Sequence, residues 1–162
     1  MKPEKKLYQK FKKNTPLIQH TRLETYINLG VPDILCYNDL CGFFMVELKY
    51  TTTNKVRFSP HQILFHTQKS KRNFLLLQHA PPHLPSTIKL YESKSIEGLL
   101  LDHREVKPLA VNDWSLIQKI LINQKNISFN IVINIDSVFD YINAREGKQA
   151  DQKPLVLTEE VA

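Results

Sequence analysis

Two apolar runs joined by a short polar turn most constrain what this chain folds into. "DILCY", residues 33–37, is followed by "NDLCG", residues 38–42, and then by "FFMVELKY", residues 43–50. The outer runs are rich in aromatic and branched residues, which suit strands. The middle segment has turn composition, with Gly42 placed to close the loop. The pattern predicts an antiparallel hairpin centred on Leu40. In that register Phe43 faces Tyr37, Phe44 faces Cys36, and Glu47 faces Asp33. Side chains alternate along a strand, so Lys49 shares the face of Glu47.

This register has a chemical consequence. Directly opposed Cβ atoms lie roughly 4.5–5.5 Å apart. Two carboxylates that close repel each other and cannot both stay ionised cheaply. A divalent cation resolves the conflict, and hard oxygen ligands with positions left for water and phosphate suit Mg²⁺. A neighbouring lysine stabilises a hydroxide or the charge that develops on phosphorus. Asp33, Glu47 and Lys49 therefore form a candidate site for metal-assisted phosphodiester hydrolysis.

The rest of the chain reads as a mixture of strands and helices, with no internal repeat. The first fourteen residues form either a short basic helix or a loose arm. "RLETYINLG", residues 22–30, leans towards helix. "SPHQILFHTQKSK" has a clear helix start: Ser59 as N-cap, Pro60 at the first helical position and Gln62 completing a capping box. "NFLLLQ" and "TIKLYES" read as strands around a proline-stiffened loop, "HAPPHLPS". "NDWSLIQKILINQ" reads as an amphipathic helix with Trp114, Ile117, Ile120 and Leu121 on one side. Residues 127–135 alternate like a half-buried strand, and a final helix capped by Asp136 follows. From Glu146 the chain turns polar, as expected of a flexible tail. The expectation is one α/β or α+β domain over residues 15–145, built on a mixed sheet flanked by helices.

Charge adds a partner class. Net charge is +6 among 162 residues. Residues 1–14 carry six lysines against Glu4, and residues 49–72 carry Lys49, Lys55, Arg57, Lys69, Lys71 and Arg72 with no acid. A basic block inside a folded region suggests a polyanion such as nucleic acid. No apolar run is long enough to span a bilayer, so the expectation is a soluble, cytoplasmic protein without membrane contact. Cys36 and Cys41 are expected to be free, mostly buried thiols. Of the six histidines only His79 and His83 have an H-x₃-H spacing, across two prolines and with no ligand pair to match, and no phosphate-cradling glycine motif is present.

"Val31-Pro32-Asp33" followed by "Val46-Glu47-Leu48-Lys49" resembles the PD-(D/E)xK nuclease superfamily. With the "SPHQ" helix, it looks most like the VRR-NUC and Holliday-junction-resolvase-like branch, of the kind carried by small phages. The resemblance covers residues 20–78. It implies a restriction-endonuclease-like fold and a Mg²⁺-dependent DNA endonuclease, with Mn²⁺ able to substitute. Asp33, Glu47 and the Leu48 carbonyl would be metal ligands, with Lys49 positioning the attacking water. Glu24 would match an upstream acid near the metal, and Gln62 a polar residue of the following helix. Lys55, Arg57, Lys69, Lys71 and Arg72 would form a phosphate-binding rim. Branched DNA is the first expected substrate. A restriction, repair or exonuclease role, or a silent nucleic-acid-binding module, are the alternatives. Symmetric cutting of a junction implies a homodimer.

Overall fold

The structure is a computed structural model, and it describes residues 2–23 and 30–124. The chain divides into two units, Met1–Asn126 and Ile127–Ala162. The expected strand over 127–135, the helix after Asp136 and the tail from Glu146 lie outside the described residues.

The hairpin forms in the expected register. Strand β2 (Ile34–Asn38) pairs antiparallel with β3 (Gly42–Thr51), with Tyr37 opposite Phe43 and Cys36 opposite Phe44. Gly42 takes φ of 72°, the left-handed conformation that closes the turn. Strand β4 (Asn73–His79) then pairs parallel with β3, and a parallel neighbour requires a crossover. Helix α2 (Pro60–Gln68) supplies it, starting at the Ser59–Gln62 capping box. Strands β5 (Thr87–Glu92) and β6 (Ala110–Val111) extend the sheet antiparallel on one side, and β1 (Gln19–Arg22) on the other. The result is a six-stranded mixed sheet in the order β1-β2-β3-β4-β5-β6.

Arg22, expected at the start of a helix, ends strand β1 instead. The strand lies at the sheet edge and is mostly exposed, so its sequence carries no apolar alternation. The rest of that expected helix falls on residues 24–29, outside the described residues.

Two helical layers sandwich the sheet. Helices α1 (Pro3–Asn14) and α4 (Trp114–Ile122) cover one face. Leu7 and Phe11 of α1 join Phe44, Val46, Leu48, Phe74, Leu76, Ile117 and Leu121 in the larger core. Burying one such side chain stabilises by about 1.5–3 kcal/mol, so α1 is bound to the domain as a helix rather than an arm. The other face is covered by α2 and α3 (Ile96–Leu101), where Val56, Leu75, Leu77, Tyr91, Ile96 and Leu99 form a second core. Both cysteines are free and buried, and burial pushes the Cys36 thiol well above its ordinary range. Among the described residues no helix is long and apolar enough to cross a membrane.

Candidate active site

Asp33 is positioned by where the ladder stops. The β2–β3 pairing ends at Ile34 opposite Val46. One step further the Asp33 backbone oxygen accepts from Leu23 N–H at 2.8 Å, bringing in the chain that follows β1. The Asp33 carboxylate turns onto β3, where Oδ2 accepts from Leu48 N–H at 3.0 Å. Asp33 and Glu47 thus meet at the end of the hairpin, as the register requires.

Glu47 is fully buried, 0 % exposed. Its Oε1 is 3.1 Å from Lys49 Nζ and accepts from Gln62 Nε2 at 2.5 Å. Its Oε2 is buried without a hydrogen-bond partner among the described residues. Lys49 Nζ also donates to Gln62 Oε1 at 3.0 Å and lies over the Phe58 ring, 5.0 Å from its centroid. Gln62 both caps its helix and touches the candidate site. Its Oε1 accepts from Ser59 N–H at 3.0 Å, completing the cap, while its amide bridges Glu47 and Lys49.

The electrostatics follow from this geometry. Burial, and then the Asp33 charge, push the Glu47 carboxyl up to about 8, although Lys49 pulls in the other direction. Asp33 is raised as well, again chiefly by burial, with the Leu48 N–H, Lys49 and Arg22 opposing. One ammonium therefore does not compensate two crowded, desolvated carboxylates. A divalent cation would, and the unpartnered Glu47 Oε2 is the atom it would satisfy. The donor set fits a hard cation. Among the described residues no three His, Cys, Asp or Glu side chains cluster around a common point. Glu24 lies outside the described residues.

Three structural supports for the site carry no recognisable sequence signal of their own. Gly30 takes φ of 91°, and a Cβ there would stand 2.4 Å from the His61 carbonyl oxygen. The first turn of α2 is seated against bare backbone. One turn beyond Gln62, the buried His66 ring shares a 2.6 Å hydrogen bond between Nδ1 and Ser93 Oγ. Burial and the Lys49 charge push His66 down to about 4, so it is neutral. Phe58 presents its ring face to Lys49.

The residues expected to form a basic rim differ in exposure. Lys55, Arg57, Lys69 and Lys71 are exposed. Lys55 sits in a loop tied down by Thr51 Oγ1, which donates to the Lys55 carbonyl at 2.9 Å. Arg72 is not part of a phosphate-binding rim. It is buried, with its guanidinium donating to the Cys41 carbonyl, and its own carbonyl accepts from Met45 N–H at 3.0 Å. Arg72 leads directly into β4, and burial there holds the hairpin turn against the parallel crossover.

No family model matches this chain, and no curated protein matches it. Among solved structures, it is similar to the Holliday junction resolvase of Archaeoglobus fulgidus, an archaeal hyperthermophile. The identity is 14 %, over 73 % of this chain and 96 % of that one, with a TM-score of 0.43.

Proposed function

We propose that this chain is a metal-dependent DNA endonuclease of the PD-(D/E)xK type, with branched DNA as its first substrate. The observation that carries the proposal is the convergence of Asp33, Glu47, Lys49 and Gln62 at one end of the hairpin. Structural ion pairs are seldom built this way, because a buried carboxylate beside a second carboxylate is costly unless a cation joins them.

Asp33, Glu47 and the Leu48 carbonyl would hold Mg²⁺, with Mn²⁺ able to replace it. When bound, the ion supplies Lewis-acid polarisation of a phosphoryl oxygen and lowers the pKa of a water. The chain's own residues do the rest. Lys49, held between Glu47, Gln62 and the Phe58 ring, presents a fixed positive charge to the attacking water and to the phosphate. The water oxygen forms the new P–O bond and the opposite P–O ester bond breaks in line. Gln62 ties helix α2 to the two strand residues, so that Lys49 does not wander.

The test is cleavage of a labelled four-way junction beside matched linear duplex and single strand, in Mg²⁺ and in chelator. Paired nicks near the branch, absent in chelator and reduced at least 100-fold in Glu47→Ala, are expected. Equal cutting of linear duplex would retain the nuclease and remove the branch preference. Tight binding with no cutting in Mg²⁺ or Mn²⁺ would leave a silent nucleic-acid-binding module.

A further inference from the structure

Among the described residues, helices α2 and α3 cover the β4–β5 side of the sheet face that carries Glu47. By alternation and register, Phe43, Met45, Glu47 and Lys49 of β3 share that face with Leu35 and Tyr37 of β2 and with Gln19 and Thr21 of β1. Across β4 and β5 the same face is sealed, with Leu75, Leu77 and Tyr91 buried in the second core. Across β1, β2 and the start of β3 no described helix covers it. Phe43 is 39 % exposed, and Leu35, Tyr37 and Met45 are only partly covered. Gln19, Thr21, Leu35, Tyr37 and Phe43 line a shallow groove of about 240 Å³ there. Within it the Tyr37 and Phe43 rings stand 4.8 Å apart, centroid to centroid, tilted by 51°.

We propose that this strip is a stacking platform for unpaired bases of the nucleic acid whose backbone enters the candidate active site. The inference rests on the nuclease reading of that site. Four observations favour bases as the occupant. The strip is continuous with the carboxylates: Phe43 lies four residues from Glu47 along one strand, roughly 13 Å, within reach of a short run of nucleotides. The exposed Phe43 ring beside the partly covered Tyr37 ring offers π-surface, on which any base stacks. Gln19 and Thr21 add hydrogen-bonding groups at the strip's edge. The groove is also small: five residues line it, whereas a stable protein interface takes about 20–30 residues a side. Asp39, beside the Tyr37 hydroxyl, makes the hairpin tip unfavourable for phosphate, so the backbone runs on the side of Arg22 and Lys49. A nuclease with such a strip next to its site would favour substrates that present unpaired bases beside a cleavable strand.

The experiment is fluorescence anisotropy in chelator, so that nothing is cut. The probes are an oligothymidine strand and an abasic strand of equal length, over a range of salt. Wild type, Tyr37→Leu/Phe43→Leu and Tyr37→Phe are compared, since leucine keeps apolar packing and removes the rings. The expected result is that the double variant loses roughly 10-fold more affinity for oligothymidine than for the abasic strand, while Tyr37→Phe retains the difference. Equal affinity of wild type for both probes would overturn the proposal. So would an equal loss on both, or sedimentation showing that the strip is covered by a second copy. The two readings fail separately. A wild type that cuts in Mg²⁺ without base dependence keeps the nuclease and loses the platform. Base-dependent binding without cleavage does the reverse.

Discussion

Glu47 decides most of what happens at the level of single residues. It is fully buried, it touches Lys49 and Gln62, and its second oxygen has no partner among the described residues. Burial and Asp33 push its carboxyl up to about 8, against an ordinary value of 4.5. The sign is therefore opposite to that of a salt-bridged surface acid. The folded state holds the proton more tightly than the unfolded chain, so this contribution to stability is complete below about pH 4.5 and disappears as pH rises through about 8. In chelator, thermal unfolding should show Tm falling across that window by roughly 5 °C or more. Glu47→Gln should flatten the fall, and Mg²⁺ should restore Tm in the wild type at the alkaline end. A Tm that rises from pH 5 to pH 8 in chelator, with no response in Glu47→Gln, would count against the buried-carboxylate account. His66 acts at the other end of the scale: its folded value near 4 gives stability present above about pH 6.5 and lost as pH falls through 4.

Helix α2 is the element that assembles the site. It delivers Gln62 to Glu47 and Lys49, and three contacts hold it in place: the Ser59 cap, the Gly30 seat and the His66–Ser93 hydrogen bond. Ser59→Ala removes the cap and should cost about 1 kcal/mol of stability. It also leaves the Gln62 backbone N–H without its Ser59 Oγ acceptor and loosens the turn that carries the Gln62 side chain, so kcat should fall more than affinity for DNA. Gly30→Ala is the harsher change. The added methyl meets the His61 backbone and the residue is held at positive φ, so the first turn of α2 has to move. Both a lower Tm and a loss of cleavage of at least 10-fold are expected, with binding to DNA in chelator largely kept. Full activity in Gly30→Ala would show that the position of α2 does not matter to the chemistry.

Across the whole molecule the division of labour among basic residues is the most testable feature. Lys55 and Arg57 are exposed, whereas Arg72 is buried on the Cys41 carbonyl. Each phosphate contact contributes about 0.9 to the slope of log affinity against log salt. Lys55→Ala and Arg57→Ala should each reduce that slope by close to this amount without changing Tm. Arg72→Ala should do the opposite, lowering Tm while the slope stays put. A parallel titration of the three variants against a labelled duplex, with thermal melts alongside, separates the two behaviours.

The parts of this protein legible in the sequence are those whose partners are close along the chain. The hairpin register follows from two apolar runs and a short turn, and it brings Asp33, Glu47 and Lys49 together because side chains alternate along a strand. The capping box is legible for the same reason, since Ser59 and Gln62 are three residues apart. Edge strand β1 was not legible, because an exposed strand carries no apolar pattern. Tertiary structure alone decided that Gln62 would reach Glu47, since that contact depends on how the crossover lays α2 over β3. It also decided that Arg72 would be buried while Lys71 beside it stays in water, and that no described helix would cover the β1–β2 side of one sheet face. Charge and side-chain type are properties of a residue, but burial is a property of the neighbours that arrive from elsewhere in the chain.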